Sequence, residues 1–274
     1  MSDSSLHMFP RNTRCCFRTK LPKQIDINKQ DWEVAVVELI LPTQLVNVTE
    51  EERFFNVVST DKKVIQELTR FGKGRPYLPH GARLSIPAGV YTSAGHMLEE
   101  MNATIQAVCG DIFTKHNIVF QIAYSPTQKR VKIAKNSDKR IGLELHPNLR
   151  MKLGGTPTGF EDVFTYDKDP FPYSPDLNMG YNFLFIYSDI ADYTMIGNVE
   201  APLLRVVSFT ATNNEQAGHH HEEFLNLHYV PVAKASFDEI GIHIKGETGD
   251  SVHFANGKSM VKLHFRRRKL QFPL

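Results

Sequence analysis

The feature that most constrains the fold is the segment of residues 32–41, in which apolar side chains occupy both alternating positions of an extended chain. A strand that alternates apolar with polar side chains needs one covered face, whereas this pattern predicts burial on both. The most apolar stretches, residues 34–41 and 183–190, are about eight residues long, and a membrane-spanning helix needs ~20. The chain is therefore expected to fold around a buried central strand, without a membrane span.

Further strand patterns lie on both sides of a region with helical character. Residues 183–190 and 203–209 are apolar strand candidates bounded by Pro and Gly, and residues 261–265 alternate apolar with polar side chains. Residues 97–108 instead carry an apolar stripe at helical spacing, and residues 125–128 have the composition of a hairpin turn. This order predicts a mainly β protein. A Greek-key β-sandwich of about eight strands, from residues 1–60 and 161–274, would carry an α+β insertion of residues 61–160.

Charge and cysteine content narrow the possible partners and compartment. The chain has 32 Lys and Arg against 30 Asp and Glu, a net charge of +2, so no global field attracts nucleic acid or anionic lipid. Cys15 and Cys16 are neighbours that would face opposite sides of a strand, which predicts reduced thiols. The N-terminus lacks a basic segment followed by an apolar run, so we expect an intracellular protein, not secreted through a signal peptide.

No motif in the sequence supports catalysis. Residues 154–159 are glycine-rich, but Phe160 and Glu161 stand where a phosphate-binding loop needs Lys and then Ser or Thr. No Gly-x-Ser-x-Gly nucleophile motif is present. We therefore expect no enzymatic activity and no cofactor.

Three consecutive histidines form the most conspicuous candidate metal site. In an extended chain His219 and His221 share a face, and His228 could approach them at the mouth of a barrel, as in a cupin-type metalloenzyme. Consecutive histidines in a polar loop rarely converge on one ion without a rigid element beneath them. The pattern therefore favours a solvated loop, with a metal site as the alternative.

A run of four basic residues, Arg266, Arg267, Arg268 and Lys269, ends the last predicted strand. The run could be a solvated strand end, or it could contact the acidic surface of a partner or packaged nucleic acid. It is short and lacks interleaved aromatic residues, so it does not indicate sequence-specific binding.

A further set of motifs begins with Thr19-Lys20-Leu21-Pro22, followed by Trp32-Glu33-Val34. The stretches of this set keep a fixed order along the chain and span most of it: residues 17–26, 32–39, 87–91, 185–190, 201–207, 228–232, 237–240 and 262–266. In this order they resemble the minor capsid (penton) proteins of Polinton, or Maverick, DNA transposons and related adintovirus-like elements.

The resemblance implies a single jelly-roll β-sandwich that forms pentamers at the vertices of an icosahedral particle. Its implied partners are other copies of the chain and a double-jelly-roll major capsid protein. From the residues themselves, the basic run adds nonspecific contact with packaged DNA as one interpretation, and the short apolar stretches predict no membrane partner. Its implied location is the virion or virus-like particle. One alternative is a free β-sandwich module that binds a receptor or glycan, for which residues 166–175 would supply an aromatic groove; another is the cupin-type metalloenzyme.

Overall fold

The computed structural model describes residues 9–27, 31–71, 81–135, 141–156, 170–179, 181–211, 218–247 and 249–268. No helix in these ranges is long and apolar enough to cross a lipid bilayer. The elements in chain order are β1 (Cys16–Asp26), β2 (Trp32–Pro42), β3 (Phe54–Ser59), α1 (Lys62–Leu68), a 3-10 turn (Thr69–Phe71), β4 (Gly81–Ser85), α2 (Ala94–Lys115), β5 (Phe120–Ser125), β6 (Arg130–Lys135), β7 (Ile141–Leu145), α3 (Pro147–Lys152), β8 (Phe183–Ser188), β9 (Thr194–Ile196), β10 (Val199–Ala201), β11 (Leu203–Ser208), β12 (His219–Glu223), β13 (Val230–Pro231), β14 (Ser236–Lys245) and β15 (Met260–Arg267).

The chain divides into two compact units. The first combines Met1–Leu45 with Tyr181–Leu274, and the second is Val46–Gly180. The first boundary differs from the one expected at residue 60, because β3 pairs with β4 and β7 inside the second unit. The second differs from the one expected at residue 161, because Phe171 and Leu177 belong to the core of the second unit. A short apolar strand has the same sequence pattern in a sheet of either unit, so the pattern alone could not assign β3 to one of them.

The first unit is a jelly-roll sandwich of two antiparallel sheets. One sheet has the strand order β1-β14-β8-β11. In the second sheet, β2 pairs with β15 along one edge and with β12 and β13 along its opposite edge. The chain crosses between the sheets at β1–β2, β11–β12, β13–β14 and β14–β15, and at β2–β8 through the second unit. Strands β1 and β14 become neighbours although they are far apart in sequence. The predicted mainly β jelly roll is confirmed by this strand order.

In strand β2 the core-facing side chains switch from even-numbered to odd-numbered residues at Val37. Its pairing with β15 joins Glu38 to Lys262 and Val36 to Leu263, so one residue of β2 has no partner there. A bulge of this kind puts the residues before and after it out of phase. The core residues of β2 are therefore even-numbered before the bulge and odd-numbered after it: Val34, Val36, Leu39 and Leu41.

This bulge corrects in part the expectation that β2 is buried on both faces, since Ala35, on the face opposite Val34 and Val36, is also fully buried. Glu33 and Glu38 remain partly exposed and form ion pairs with cations of β15. The apolar side chains of both parities thus belong largely to one face of the strand, which packs into a core shared by the two sheets.

The second unit has its own core around α2. Its three-stranded sheet has the order β4-β3-β7, and β5 and β6 form the hairpin expected around residues 125–128. Helix α2 begins after Ser93, whose hydroxyl accepts a hydrogen bond from the N–H of His96. The predicted apolar stripe of α2 is buried as expected, except that Val108 is only partly buried. Asn102 joins this helix to β5, because its side chain donates to Ile122 O and accepts from Ile122 N.

The prediction of reduced cysteines is confirmed, since Cys15, Cys16 and Cys109 are all free thiols. Cys15 and Cys109 are buried, and burial raises the pKa of Cys109 to about 11. Cys109 therefore behaves as a small apolar side chain within the core of the second unit.

Candidate functional site

The basic run at the end of β15 is largely engaged by its own sheet. Arg266 Nη2 lies 3.0 Å from Glu33 Oε2, and Arg268 Nε lies 3.7 Å from Glu33 Oε1. The guanidinium of Arg266 also covers the ring of Tyr229, 3.4 Å from its centroid. One carboxylate therefore pairs with two of the four cations that the sequence singled out, and it offsets one of their two positive charges.

The other two members of the run differ in their surroundings. Arg267 lies over Trp32, with its guanidinium carbon 5.9 Å from the ring centroid. Lys269 lies outside the described residues. Within the described part of the run, each arginine thus contacts an acidic or aromatic side chain of β2.

The histidine-rich strand β12 brings one histidine to two carboxylates. His221 Nε2 lies 3.1 Å from Glu38 Oε1 and 3.9 Å from Glu223 Oε1. These three side chains are the one group of three potential metal ligands in the described ranges, and neither His219 nor His228 belongs to it. The structure therefore does not gather the sequence candidates His219, His221 and His228, and it replaces two of them by carboxylates.

Glu38 is the anchor of this group. The hydrogen bond that Lys262 Nζ donates to its Oε2, over 3.1 Å, is the largest influence and lowers the pKa of Glu38. Desolvation acts in the opposite direction, and the hydrogen bond with His221 lowers the pKa further. The carboxylate is therefore ionised and oriented by Lys262, with its other oxygen directed at His221.

A second basic surface, which the sequence reasoning missed, lies on the β5–β6 hairpin. Lys129, Arg130 and Lys132 are exposed, and no ion pair joins any of them to another described residue. Arg130 and Lys132 share the face of β6 opposite buried Val131. The signal was present in the sequence, since residues 117–137 contain four basic residues and no Asp or Glu. We call Lys129, Arg130 and Lys132 the basic hairpin.

The proposed aromatic groove at residues 166–175 is only partly within the described chain. Residues 166–169 lie outside it. Phe171 is buried in the core of the second unit, while Tyr173 is 60% exposed. A single exposed ring is therefore what the described half of this segment offers to a glycan or receptor.

Cys16 and His243 are in contact, as in a catalytic cysteine–histidine dyad, but the thiol is not activated. Cys16 Sγ lies 3.2 Å from His243 Nδ1 across β1 and β14. Burial is the main cause that raises the pKa of Cys16, and Cys15 adds to it, while Arg18 and Lys245 only partly oppose the rise. A reactive cysteine needs a lowered pKa, so this thiol is protonated and weakly nucleophilic at neutral pH.

Comparisons with known proteins give likenesses of structure only. No protein-family profile matches the chain, and no curated protein matches it. Among solved structures, it is similar to the mavirus penton protein, with 11% identity, a TM-score of 0.48, and coverage of 94% of this chain and 100% of that one. It is also similar to a chain in the structure of the Sputnik virophage, with 11% identity, a TM-score of 0.33, and coverage of 91% and 90%. Neither sequence comparison assigns the chain to a family.

Proposed function

We propose that this chain is a penton-like minor capsid protein that forms pentamers at the vertices of an icosahedral particle encoded by a transposable element. The observation that carries the proposal is the jelly-roll strand order of the first unit, reached by a chain whose motifs occur in the order typical of such penton proteins. The function is structural, and its partners are other copies of the chain and a double-jelly-roll major capsid protein.

Apolar side chains outside the core support assembly. Tyr193, Met195 and Val199 lie on or beside the β9–β10 hairpin, and each is more than half exposed. A closed ring uses two different surfaces of each subunit, one of which can be a projecting element that enters a neighbour. Clustered exposed apolar side chains mark such contacts, whereas single ones are ordinary. We therefore assign the β9–β10 hairpin to the contact with a second copy of the chain.

Light scattering coupled to size exclusion tests the assembly proposal. At increasing protein concentration, we expect a species with five times the 31.2 kDa mass of one chain. Met195→Asp should shift this equilibrium toward the monomer, because it places a charge in the apolar contact. Leu225→Asp is the matched control, since Leu225 is 95% exposed outside the hairpin and should leave the pentamer intact.

Two results would count against this assignment. A strictly monomeric chain at every concentration, both alone and mixed with a double-jelly-roll major capsid protein, would contradict the penton role. A pentamer that Met195→Asp leaves unchanged would contradict the hairpin contact while retaining the role.

The basic hairpin is the better candidate for contact with packaged DNA. Its three cations have no carboxylate partner among the described residues, whereas Glu33 pairs with Arg266 and Arg268. Each phosphate contact releases counterions and contributes about 0.9 to the slope of log affinity against log salt concentration. Three free cations therefore suffice for weak, sequence-independent binding.

Salt-dependent binding of a labelled random-sequence DNA duplex measures this contribution. The variant with Lys129, Arg130 and Lys132 changed to Gln should lower the slope by about 2–3. A control with Arg266, Arg267 and Arg268 changed to Gln removes the same number of cations and should lower the slope less, because Glu33 already offsets one of their charges. An equal or larger decrease of the slope for the control variant would instead assign the DNA contact to the basic run at the end of β15.

A further inference from the structure

We propose that Glu38, His221 and Glu223 form a binding site for one divalent transition-metal ion of the zinc class, on the outer face of the β2–β12 strand pair. This inference is independent of the assembly role. It rests on the contacts of three side chains from two hydrogen-bonded strands.

The spacing of the three donor atoms fits a metal ion. Metal–ligand bonds of about 2.0–2.2 Å place the donors of a tetrahedral zinc site about 3.3–3.5 Å apart. Around His221 Nε2, the oxygen of Glu38 lies at 3.1 Å and that of Glu223 at 3.9 Å, on either side of that range. The remaining pair also falls within 4.8 Å. Small side-chain rotations are therefore enough to bring all three donors onto one ion.

The backbone holds the donors in place before any ion arrives. His221 and Glu223 are two residues apart on β12, so both side chains leave the same face of the strand. The register pairs Glu223 directly with Glu38 and places His221 opposite Ile40, one diagonal step away. This rigid strand pair is the supporting element that a loop of consecutive histidines would lack.

Lys262 orients the carboxylate of Glu38 without being a ligand itself. Its Nζ donates to Glu38 Oε2, which leaves Oε1 directed at His221. Partners of this kind orient a ligating carboxylate, and their loss commonly costs about 10–100-fold in metal affinity. The lysine contacts the oxygen that the ion does not need, so it orients the ligand without occupying the ion's position.

The donor set selects the class of ion. One imidazole with two carboxylates suits Zn²⁺, Co²⁺ and Ni²⁺, whereas Ca²⁺ and Mg²⁺ favour sites built from oxygen alone. Three protein ligands leave further coordination positions to water. An ion here would also join β12, a five-residue strand with partners on one side, to the central strand β2.

Calorimetric titration of the untagged full-length chain with Zn²⁺ alone tests the site, and the visible absorption of bound Co²⁺ gives a second readout. We expect one ion per chain, with His221→Ala and Glu38→Gln each weakening binding at least tenfold, by analogy with the loss of an orienting partner. His228→Ala and His219→Ala are matched controls that remove a histidine from the same region, and they should change affinity less than twofold.

The variants are expected to fold, because His219, His221 and His228 are exposed and Glu38 is partly exposed. The fluorescence of Trp32 checks the first unit directly. Zn²⁺ should raise the unfolding midpoint of the unaltered protein and leave that of His221→Ala unchanged. The proposal is overturned by the absence of stoichiometric binding. Binding that His221→Ala and Glu38→Gln leave intact, or that either control abolishes, would also overturn it.

Discussion

Replacing Lys152 by methionine is expected to lower the free energy of unfolding of the second unit by about 3–5 kcal/mol. Lys152 Nζ lies 2.6 Å from Glu52 Oε2, and the two side chains are 7% and 9% exposed. Asn148 donates to the other carboxylate oxygen over 2.8 Å, and the N–H of Thr49 donates to Oε2. Methionine fills a similar volume but leaves the buried carboxylate without its countercharge.

The same contacts make the unit sensitive to acid. Desolvation is the largest influence on Glu52 and acts to raise its pKa, but the hydrogen bond and charge of Lys152, with Asn148 and Thr49, outweigh it and lower the pKa. A carboxyl whose pKa is lower in the folded than in the unfolded chain adds stability above its unfolded pKa. That contribution is lost as the pH falls through the folded pKa. The unaltered protein should therefore lose it in acid, and Lys152→Met should lack much of it already at neutral pH.

Helical circular dichroism in urea separates this effect from the rest of the molecule, because the helices of the described residues all lie in the second unit. Lys152→Met should move this transition to lower urea. Lys115→Met is the matched control, since Lys115 is 67% exposed in its pair with Glu67 and the unfolding midpoint should barely move.

The double variant Glu52→Gln with Lys152→Met removes both charges and should recover much of the lost stability. If Lys152→Met alone leaves the helical transition within the range of the Lys115 control, then the buried pair does not contribute as proposed.

Replacing Asp189 by alanine is expected to destabilise the first unit by roughly 1.5–3 kcal/mol. Asp189 Oδ1 accepts a hydrogen bond from the N–H of Gly241 over 2.8 Å, and Oδ2 accepts one from Lys234 Nζ over 2.8 Å. A side chain on Gly241 would press against this carboxylate, with its Cβ only 3.2 Å from Asp189 Cγ. The absence of that side chain allows the carboxylate to reach the backbone between β8 and β14. Alanine at position 189 leaves the Gly241 N–H without its acceptor.

Fluorescence of Trp32 follows this prediction, because it is the one tryptophan of the chain and belongs to the first unit. Asp189→Ala should move the fluorescence transition in urea, while Asp189→Asn should lose less stability because an amide oxygen can still accept from Gly241. Asp238→Ala is the control, since Asp238 is 52% exposed and 3.9 Å from Lys20. Equal stability of Asp189→Ala and this control would contradict the assigned role.

Local sequence patterns predicted the elements that are stabilised by residues close to one another in sequence. The stripe that begins at Met97 gave helix α2, and the turn at residues 125–128 gave the β5–β6 hairpin. The period-two pattern after Val261 gave strand β15. In each case the spacing of apolar side chains follows from the geometry of a single element, so one stretch of chain contains the information.

The candidate sites were less predictable, since their partners come from distant parts of the chain. Arg266 is paired with Glu33, 233 residues away, and His221 with Glu38, 183 residues away. A basic run and a histidine run are visible in sequence, but the carboxylates beside them are not. The basic hairpin could have been found from its lack of acidic residues, whereas its lack of ion pairs with any other described residue required the structure.

The sequence by itself determined a mainly β chain with an α+β insertion, and its motifs in order predicted a jelly roll. Tertiary structure alone decided that β3 belongs with the insertion and that β2 carries a bulge at Val37. The physical reason is that strand pairing is a property of two segments. The apolar pattern of residues 32–41 requires burial, but only the partner strand fixes the register and therefore the face that is buried.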